Sequence, residues 1–160
     1  MRLIRLVTVL LLAVMTAGCQ TSWNGGTNVR DTGTAEKSGT GELRTDLEPL
    51  TKRFTALDDP EHARWMSGTF GSDRAPGPST YWIDAVVTLS ERKIDELKTT
   101  YASAPAGKSP EVVEGLRAEL PAGAFLTSDR LDQAFSHDKW SAKAYLVPER
   151  RVLVLVATGT

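Results

Sequence analysis

The chain has very few residues of the types that form covalent cross-links or catalytic centres. It contains one cysteine, Cys19, and two histidines, His62 and His137, in 160 residues. A single cysteine excludes an internal disulfide, and two histidines leave histidine-based catalysis few possible arrangements. The Gly-x-Ser-x-Gly pattern of a nucleophile elbow is also missing. The sequence therefore contains no complete catalytic motif, and we expect no metal ion or cofactor.

Clustered charge of one sign is missing as well. The chain has 19 Lys and Arg against 20 Asp and Glu, which gives a formal net charge of −1. Nucleic-acid binding needs clustered Lys and Arg, so nucleic acid is not an expected partner. Hydrophobic residues at 41% and charged residues at 24% are typical of a globular protein.

No apolar run is long enough to span a membrane. The longest, residues 6–15, is interrupted only by Thr8 and follows Arg2 and Arg5. A spanning helix needs about 20 apolar residues, whereas a positive start and a run of about ten are typical of an export signal. We therefore expect residues 1–18 to be a signal peptide.

The signal ends in Met15-Thr16-Ala17-Gly18-Cys19, which resembles the lipobox of bacterial lipoproteins. Ala17, Gly18 and Cys19 fit the pattern, while Thr16 stands where Leu is most common. The resemblance implies that Cys19 carries a thioether-linked diacylglycerol and becomes the mature N-terminus. Two acyl chains anchor a protein stably where one is marginal. Cleavage by the ordinary export peptidase, which gives a secreted protein, is the alternative.

Composition divides the rest of the chain in two. Residues 19–45 are rich in Gly, Thr, Ser and Asn, which predicts a lipidated N-terminus on a flexible tether about 25 to 30 Å in mean span. Trp23, close to the anchor, is either incidental or rests in the membrane interface. Residues 46–160 then form a single folded domain.

Hydrophobic periodicity and capping residues predict an α+β domain with one antiparallel sheet of about four strands and helices packed on one face. The predicted strands are 63–70, 80–89, 139–147 and 151–157, with a short extended piece at 124–126. The predicted helices are 46–57, 90–101, 109–120 and 128–135. The last strand is apolar on both faces, as expected for an interior strand.

Asp84 is the most unusual residue by position, since it lies in the middle of the clearest strand between Trp82 and Val86. On a covered face, its carboxylate must be paired or have a raised pKa, which would make it a candidate for catalysis with a second acidic group. The alternative that we favour is an open face, or pairing across the sheet with an Arg or Lys such as Arg64.

Aromatic residues are concentrated on the predicted strands. Those on the face of Trp82 are candidates for an exposed platform that binds a glycan, a peptide or a protein, although most aromatic residues on strands belong to the core. Trp82 and Asp84 are therefore the candidate ligand-binding residues. The set consists of Trp65, Tyr81, Trp82, Trp140 and Tyr145.

Two polar clusters fit turns better than they fit a metal site or a catalytic site. Asp58, Asp59, Glu61 and His62 offer donors for a divalent cation, but they lack a Ca²⁺-loop pattern and fit a solvent-facing turn. The run 136–138, Ser-His-Asp, has the residue types of an acyl-transfer site, but it fits a turn into the next strand.

Together with the lipobox, the run Ala75-Pro76-Gly77-Pro78-Ser79-Thr80-Tyr81-Trp82-Ile83-Asp84-Ala85-Val86-Val87 resembles small lipoproteins of high-GC Gram-positive bacteria such as streptomycetes. That group has no assigned activity, so the resemblance implies no catalytic residue. It implies a place on the outer face of the cytoplasmic membrane. We expect a binding or interaction module of the cell envelope; the alternatives are a small envelope hydrolase that uses Asp84 and an accessory subunit of an envelope complex.

Overall fold

The computed structural model describes residues 37–38, 41–70, 79–101 and 103–160. The predicted signal peptide, its lipidation site Cys19 and Trp23 lie outside the described residues. In the described part, the predicted α+β class with a single antiparallel sheet is confirmed.

The sheet has seven strands in the described part of the chain, where about four were predicted. Their order is β1-β2-β3-β7-β6-β5-β4, and all neighbours are antiparallel. The four long strands are the predicted ones, and three two-residue strands extend the sheet at its edges. The strands are β1 Lys37–Ser38, β2 His62–Phe70, β3 Tyr81–Thr88, β4 Ala104–Pro105, β5 Leu126–Thr127, β6 Trp140–Val147 and β7 Val152–Gly159.

Three α-helices lie in the described chain, each close to a predicted position: α1 Glu48–Arg53, α2 Glu91–Thr100 and α3 Asp129–Phe135. Ser90 and Ser128 cap α2 and α3, since their hydroxyl oxygens accept the N–H groups of Lys93 and Leu131 at 3.2 and 3.1 Å. Short 3-10 helices occupy Thr55–Leu57, Glu114–Glu119 and Pro148–Arg150. No helix among the described residues has the length and apolar character needed to cross a membrane.

The helix predicted over 109–120 is wrong in type and in its start. Residues 109–113 have no regular secondary structure, and only Glu114–Glu119 is helical, as a 3-10 helix. The N–H of Val113 donates to the Asp84 carboxylate at 2.6 Å instead of continuing a helical ladder. A tertiary hydrogen bond therefore replaces the local one that the sequence pattern favours.

The sheet is covered on both faces, which corrects the prediction of helices on one face only. The first face carries the larger core, in which side chains such as Leu50, Ile94 and Leu131 from the three α-helices pack on the central strands. On the second face, Val112 and Leu116 of the segment around the 3-10 helix cover Met66, Trp82, Val86, Val152 and Val154. Strands β3 and β7 are thus buried on both sides.

The folded part begins earlier than residue 46, so the predicted boundary between tether and domain is wrong. Strand β1 pairs with Thr69 and Phe70 of β2. Farther along the same edge, Gly41 donates to the carbonyl of Ser67, and Arg44 exchanges two backbone hydrogen bonds with Trp65 at 2.8 and 3.0 Å. Polar composition predicted a tether here, but the open edge of β2 needs backbone partners, and this segment supplies them.

At the opposite edge of the sheet, side chains form hydrogen bonds with backbone groups of β6 that the short strand β5 does not reach. The Asp132 carboxylate of α3 accepts the Ala144 N–H at 2.9 Å, and the Ser136 hydroxyl accepts the Ala142 N–H at 2.9 Å. The Thr127 hydroxyl donates to the Ala144 carbonyl at 2.8 Å. These contacts fix α3 against the sheet edge.

We expect Asp132→Ala to lower the free energy of unfolding by about 1 to 3 kcal/mol, because it leaves the buried Ala144 N–H without an acceptor. The Lys143 side chain, which is 63% exposed, is the partner of the same carboxylate on its solvent side. Lys143→Ala removes only this partner and should cost less than about 1 kcal/mol. Urea unfolding of both variants checks the difference. Equal losses would contradict this role for Asp132.

Candidate functional site

Asp84 lies at the centre of the sheet and is fully buried. It faces Met66 of β2 and Val156 of β7 in the register, and its exposed fraction is 0%. The Lys37 ammonium lies 2.6 Å from both carboxylate oxygens, and the Val113 N–H donates to Oδ2 at 2.6 Å. One carboxylate therefore holds the edge strand β1 and the segment that covers the second face.

These contacts correct one of the two environments that we favoured for Asp84 and confirm the other in kind, because the carboxylate pairs across the sheet with a lysine, Lys37. It is not on an open face, and Arg64 pairs instead with Glu119 at 2.8 Å. Burial raises the pKa of Asp84, while the Lys37 ammonium and the Val113 N–H partly offset the rise. A side chain with no exposed area contacts no substrate in this arrangement, so its role here is structural.

Trp82 is also buried, so it belongs to the core, the environment that we favoured for aromatic residues on strands, and not to the alternative exposed platform. Its exposed fraction is 0%, and its indole N–H donates to the carbonyls of Ser38 and Thr69 at 3.1 and 3.0 Å. The Lys37 ammonium lies 5.5 Å from the centre of its ring, a cation–π distance. Trp82 and Asp84 together hold β1 in place, and neither has exposed area.

We expect Lys37→Met to destabilise the fold more than Asp84→Asn at neutral pH. The first change leaves a buried carboxylate without its cation, at a cost of about 3 kcal/mol or more. The second leaves the Lys37 side chain, which is 21% exposed and is able to turn its ammonium toward water. Denaturant unfolding of the two variants at pH 7 measures the order, and the reverse order would contradict it.

The same pair has a definite pH dependence. Because the folded-state pKa of Asp84 is raised above its ordinary value of 3.8, its contribution to stability is present below that value and is lost as the pH rises through the raised pKa. Lys37→Met removes the main influence that lowers this pKa. Its deficit relative to the wild type should therefore be largest near neutral pH and shrink toward pH 4. The double variant Lys37→Met/Asp84→Asn is the control and should lack this trend.

A cleft opens on the first face of the sheet, at the end where β2 finishes and β3 begins. We call it the Trp140 cleft, and its volume is about 560 Å³. Strands β2 and β3 form its floor. Its walls are formed by α1, by the start of β6 and by Arg44 of the segment that pairs with the edge of β2. The lining residues are Arg44, Pro49, Arg53, Trp65, Ser67, Gly68, Thr69, Tyr81, Trp82, Ile83, Lys139, Trp140 and Thr160.

Strand alternation gives the cleft a mixed floor. Ser67 lies opposite Ile83, and Thr69 lies opposite Tyr81, so these four side chains point to the same face. Along most of that face the helices cover the sheet, but Tyr81 at this end is 46% exposed. The floor therefore offers two hydroxyl groups beside an accessible aromatic ring.

The wall formed by Trp140 is fixed by its neighbours. Its indole packs edge to face on Phe54, with ring centres 6.0 Å apart. On its other side is Gly159, where an added Cβ would lie 2.5 Å from the indole ring. Gly159 pairs with both Trp140 and Tyr81, so a missing side chain at this position of β7 makes room for the indole.

Both arginines of the cleft are stacked on its aromatic walls. The Arg44 guanidinium lies 4.1 Å from the Trp65 ring centre, and the Arg53 guanidinium lies 4.8 Å from that of Trp140. Asp46 binds Arg44 at 2.5 Å, and this contact holds the pKa of Asp46 below its usual value. Of the described residues that line the cleft, none is Asp or Glu.

Arg53 and Lys139 differ from Arg44 because neither has an ion pair among the described residues. Both are exposed. Two shallower depressions, of about 320 and 350 Å³, adjoin the cleft and share Lys139, Trp140 or Arg53 with it. The result is a groove around Trp140 and Arg53 with aromatic walls and free positive charge.

The two polar clusters singled out in the sequence form turns. Asp58 and Asp59 are exposed, and Glu61 pairs with Arg151 at 3.1 Å. His137 exchanges backbone hydrogen bonds with Trp140 at 2.9 and 2.7 Å, which forms the predicted turn into β6. Within the described ranges, no three His, Cys, Asp or Glu side chains come close enough to share a metal ion.

Comparison of the chain with protein-family models, with curated proteins and with solved structures finds no match. Candidate functional residues therefore follow from the geometry alone. Sequence reasoning placed Trp65, Tyr81 and Trp140 in one set of strand aromatics but did not predict that they line a common cleft, and it missed Arg53 and Lys139. Their only sequence signal is that Lys139 precedes Trp140 directly.

Proposed function

We propose that this protein is a lipoprotein on the outer face of the cytoplasmic membrane, anchored through Cys19, whose folded part binds a component of the cell envelope in the Trp140 cleft. The lipobox-like sequence supports the anchor. The observation that carries the binding function is the cleft itself, an accessible concave surface with aromatic walls, two hydroxyl groups and unpaired cations.

The dimensions of the cleft suit a binding site. Ligand sites in proteins are concave, mostly apolar and about 300 to 1,000 Å³ in volume, with a few polar groups that orient the ligand. The Trp140 cleft, at about 560 Å³, lies inside that range. Tyr81 and Leu43 are the two large hydrophobic side chains that are exposed in the described part of the chain, and only Tyr81 lines the cleft.

The position of β1 sets the length of the link to the proposed anchor. Residues 20–36 separate Cys19 from Lys37, and they are rich in Gly, Thr and Asn. A flexible chain of this length has a mean span of about 20 to 25 Å. In the proposed arrangement, the cleft works close to the membrane surface, within reach of envelope polymers that lie against it.

The hydrolase alternative rested on the position of Asp84. Since that carboxylate is buried and bound to Lys37 and Val113, no observation now favours it as a catalytic group. The accessory-subunit alternative predicts one partner in fixed stoichiometry, whereas the proposed function predicts saturable binding to envelope material.

We expect Tyr81→Ser to weaken binding of the full chain to isolated envelopes of its source bacterium by about tenfold or more, because it removes an accessible ring from the cleft. Leu43→Ser is the matched control, since it removes the other exposed hydrophobic side chain, which lies outside the cleft. Co-sedimentation with increasing amounts of envelope gives the apparent Kd. Equal effects of the two changes on the apparent Kd would contradict the proposal that the cleft is the binding site.

The anchor needs a separate test. We expect a peptide that starts at a lipid-modified Cys19 in the membrane fraction, and we expect Cys19→Ala to abolish this modification and release the protein from membranes. Mass spectrometry of the mature N-terminus from membrane and culture fractions provides the measurement. An unmodified N-terminus in the medium would make the protein a secreted one.

A further inference from the structure

We propose that the ligand of the Trp140 cleft is an anionic glycan, a chain of sugar rings that carries carboxylate or phosphate groups. This inference rests on the proposed function, because it names the chemical class of ligand for the same cleft. It follows from the charge, the aromatic surface and the extended form of the groove.

Charge is the first argument. Arg53 and Lys139 are exposed at the cleft and have no ion pair among the described residues, and none of the described residues that line the cleft is Asp or Glu; the adjoining depression of about 320 Å³ adds one acidic residue, Asp138. The chain as a whole has a net charge of −1, so this concentration of unpaired cations is local. An anionic group on the ligand would find two cations that no carboxylate of the described chain neutralises.

The aromatic surface is the second argument. Tyr81 is 46% exposed and presents an accessible ring, while the half-buried Trp140 indole, packed on Phe54 and Gly159 with the Arg53 guanidinium stacked on it, forms the wall of the same cleft. Amphipathic rings of this kind pack against the flat apolar side of a sugar ring, while polar groups at the edge bind its hydroxyl groups. Ser67 and Thr69 lie on the floor in position for that role.

The form of the groove is the third argument. The cleft and its two neighbouring depressions follow one another around Trp140 and Arg53, which suits an extended chain of rings. A membrane surface would instead need a continuous protruding apolar face with cations beside it. The described part exposes two large hydrophobic side chains, Leu43 and Tyr81, and only one of them is at the cleft.

The test compares two sugar chains of equal length. The full chain, purified in a neutral detergent, is titrated with an oligosaccharide of galacturonic acid and with a neutral oligosaccharide of glucose, and calorimetry gives each Kd. We expect the acidic chain to bind at least about tenfold more tightly, because each charge-assisted hydrogen bond is worth about that factor. Its advantage should fall as salt is raised, since exposed charges are screened.

The cation variant Arg53→Gln/Lys139→Gln should remove this preference, so that the ratio of the two Kd values falls toward one. Lys98→Gln/Arg150→Gln is the matched control, because it removes the same charge from exposed positions outside the cleft that also have no ion pair among the described residues. We expect the control to retain the wild-type ratio. The same ratio in the cation variant would overturn the inference.

The remaining outcomes separate this inference from the proposed function. Equal binding of the acidic and neutral chains, abolished by Tyr81→Ser, would overturn the charge selectivity and leave the cleft as a binding site. Binding of neither sugar, with Tyr81-dependent binding to envelopes intact, would overturn the glycan class alone. Binding to vesicles of an anionic phospholipid that the cation variant abolishes would assign the cleft to a lipid headgroup and overturn the glycan.

Discussion

The buried carboxylate of Asp84 is the constraint on which the rest of this structure depends. A charge at the centre of a sheet is costly to bury, and here it is balanced by the Lys37 ammonium on one side and the Val113 N–H on the other. Lys37 is in the edge strand, and Val113 is in the segment that covers the second face. One side chain therefore links three parts of the chain that are far apart in sequence.

The edge held by this contact leads directly to the cleft. From β1, the chain continues along β2 through Gly41 to Arg44, where two backbone hydrogen bonds place the Arg44 guanidinium over the Trp65 ring. The structural pair at the centre of the second face thus helps to build a wall of the cleft on the first. Stability and binding are separated in space, because Asp84 and Trp82 hold the fold while Tyr81 and Trp140 present the surface.

Local signals in the sequence predicted the long strands and the starts of α2 and α3 well. Alternation over 80–89 and the predicted helix starts at residues 90 and 128 depend only on residues close in sequence, and the structure confirms them. The failures all involve distant partners. Lys37 lies 47 residues from Asp84, so no local sequence pattern predicts this ion pair. The helix predicted from residue 109 does not form at its start, because the Val113 N–H donates to the same carboxylate. The cleft was equally hidden, since Arg53 and Trp140 meet only in the folded chain.

The most direct measurement of the central claim uses the four tryptophan indole N–H signals in an NMR spectrum of the labelled protein. During titration with the acidic oligosaccharide, we expect the Trp140 signal to shift in a saturable way, because its ring forms the cleft wall. The Trp82 signal should stay in place, because its N–H is bound to the carbonyls of Ser38 and Thr69 in the interior. Saturable shifts at Trp82 without any at Trp140 would contradict the assignment of the cleft as the binding surface.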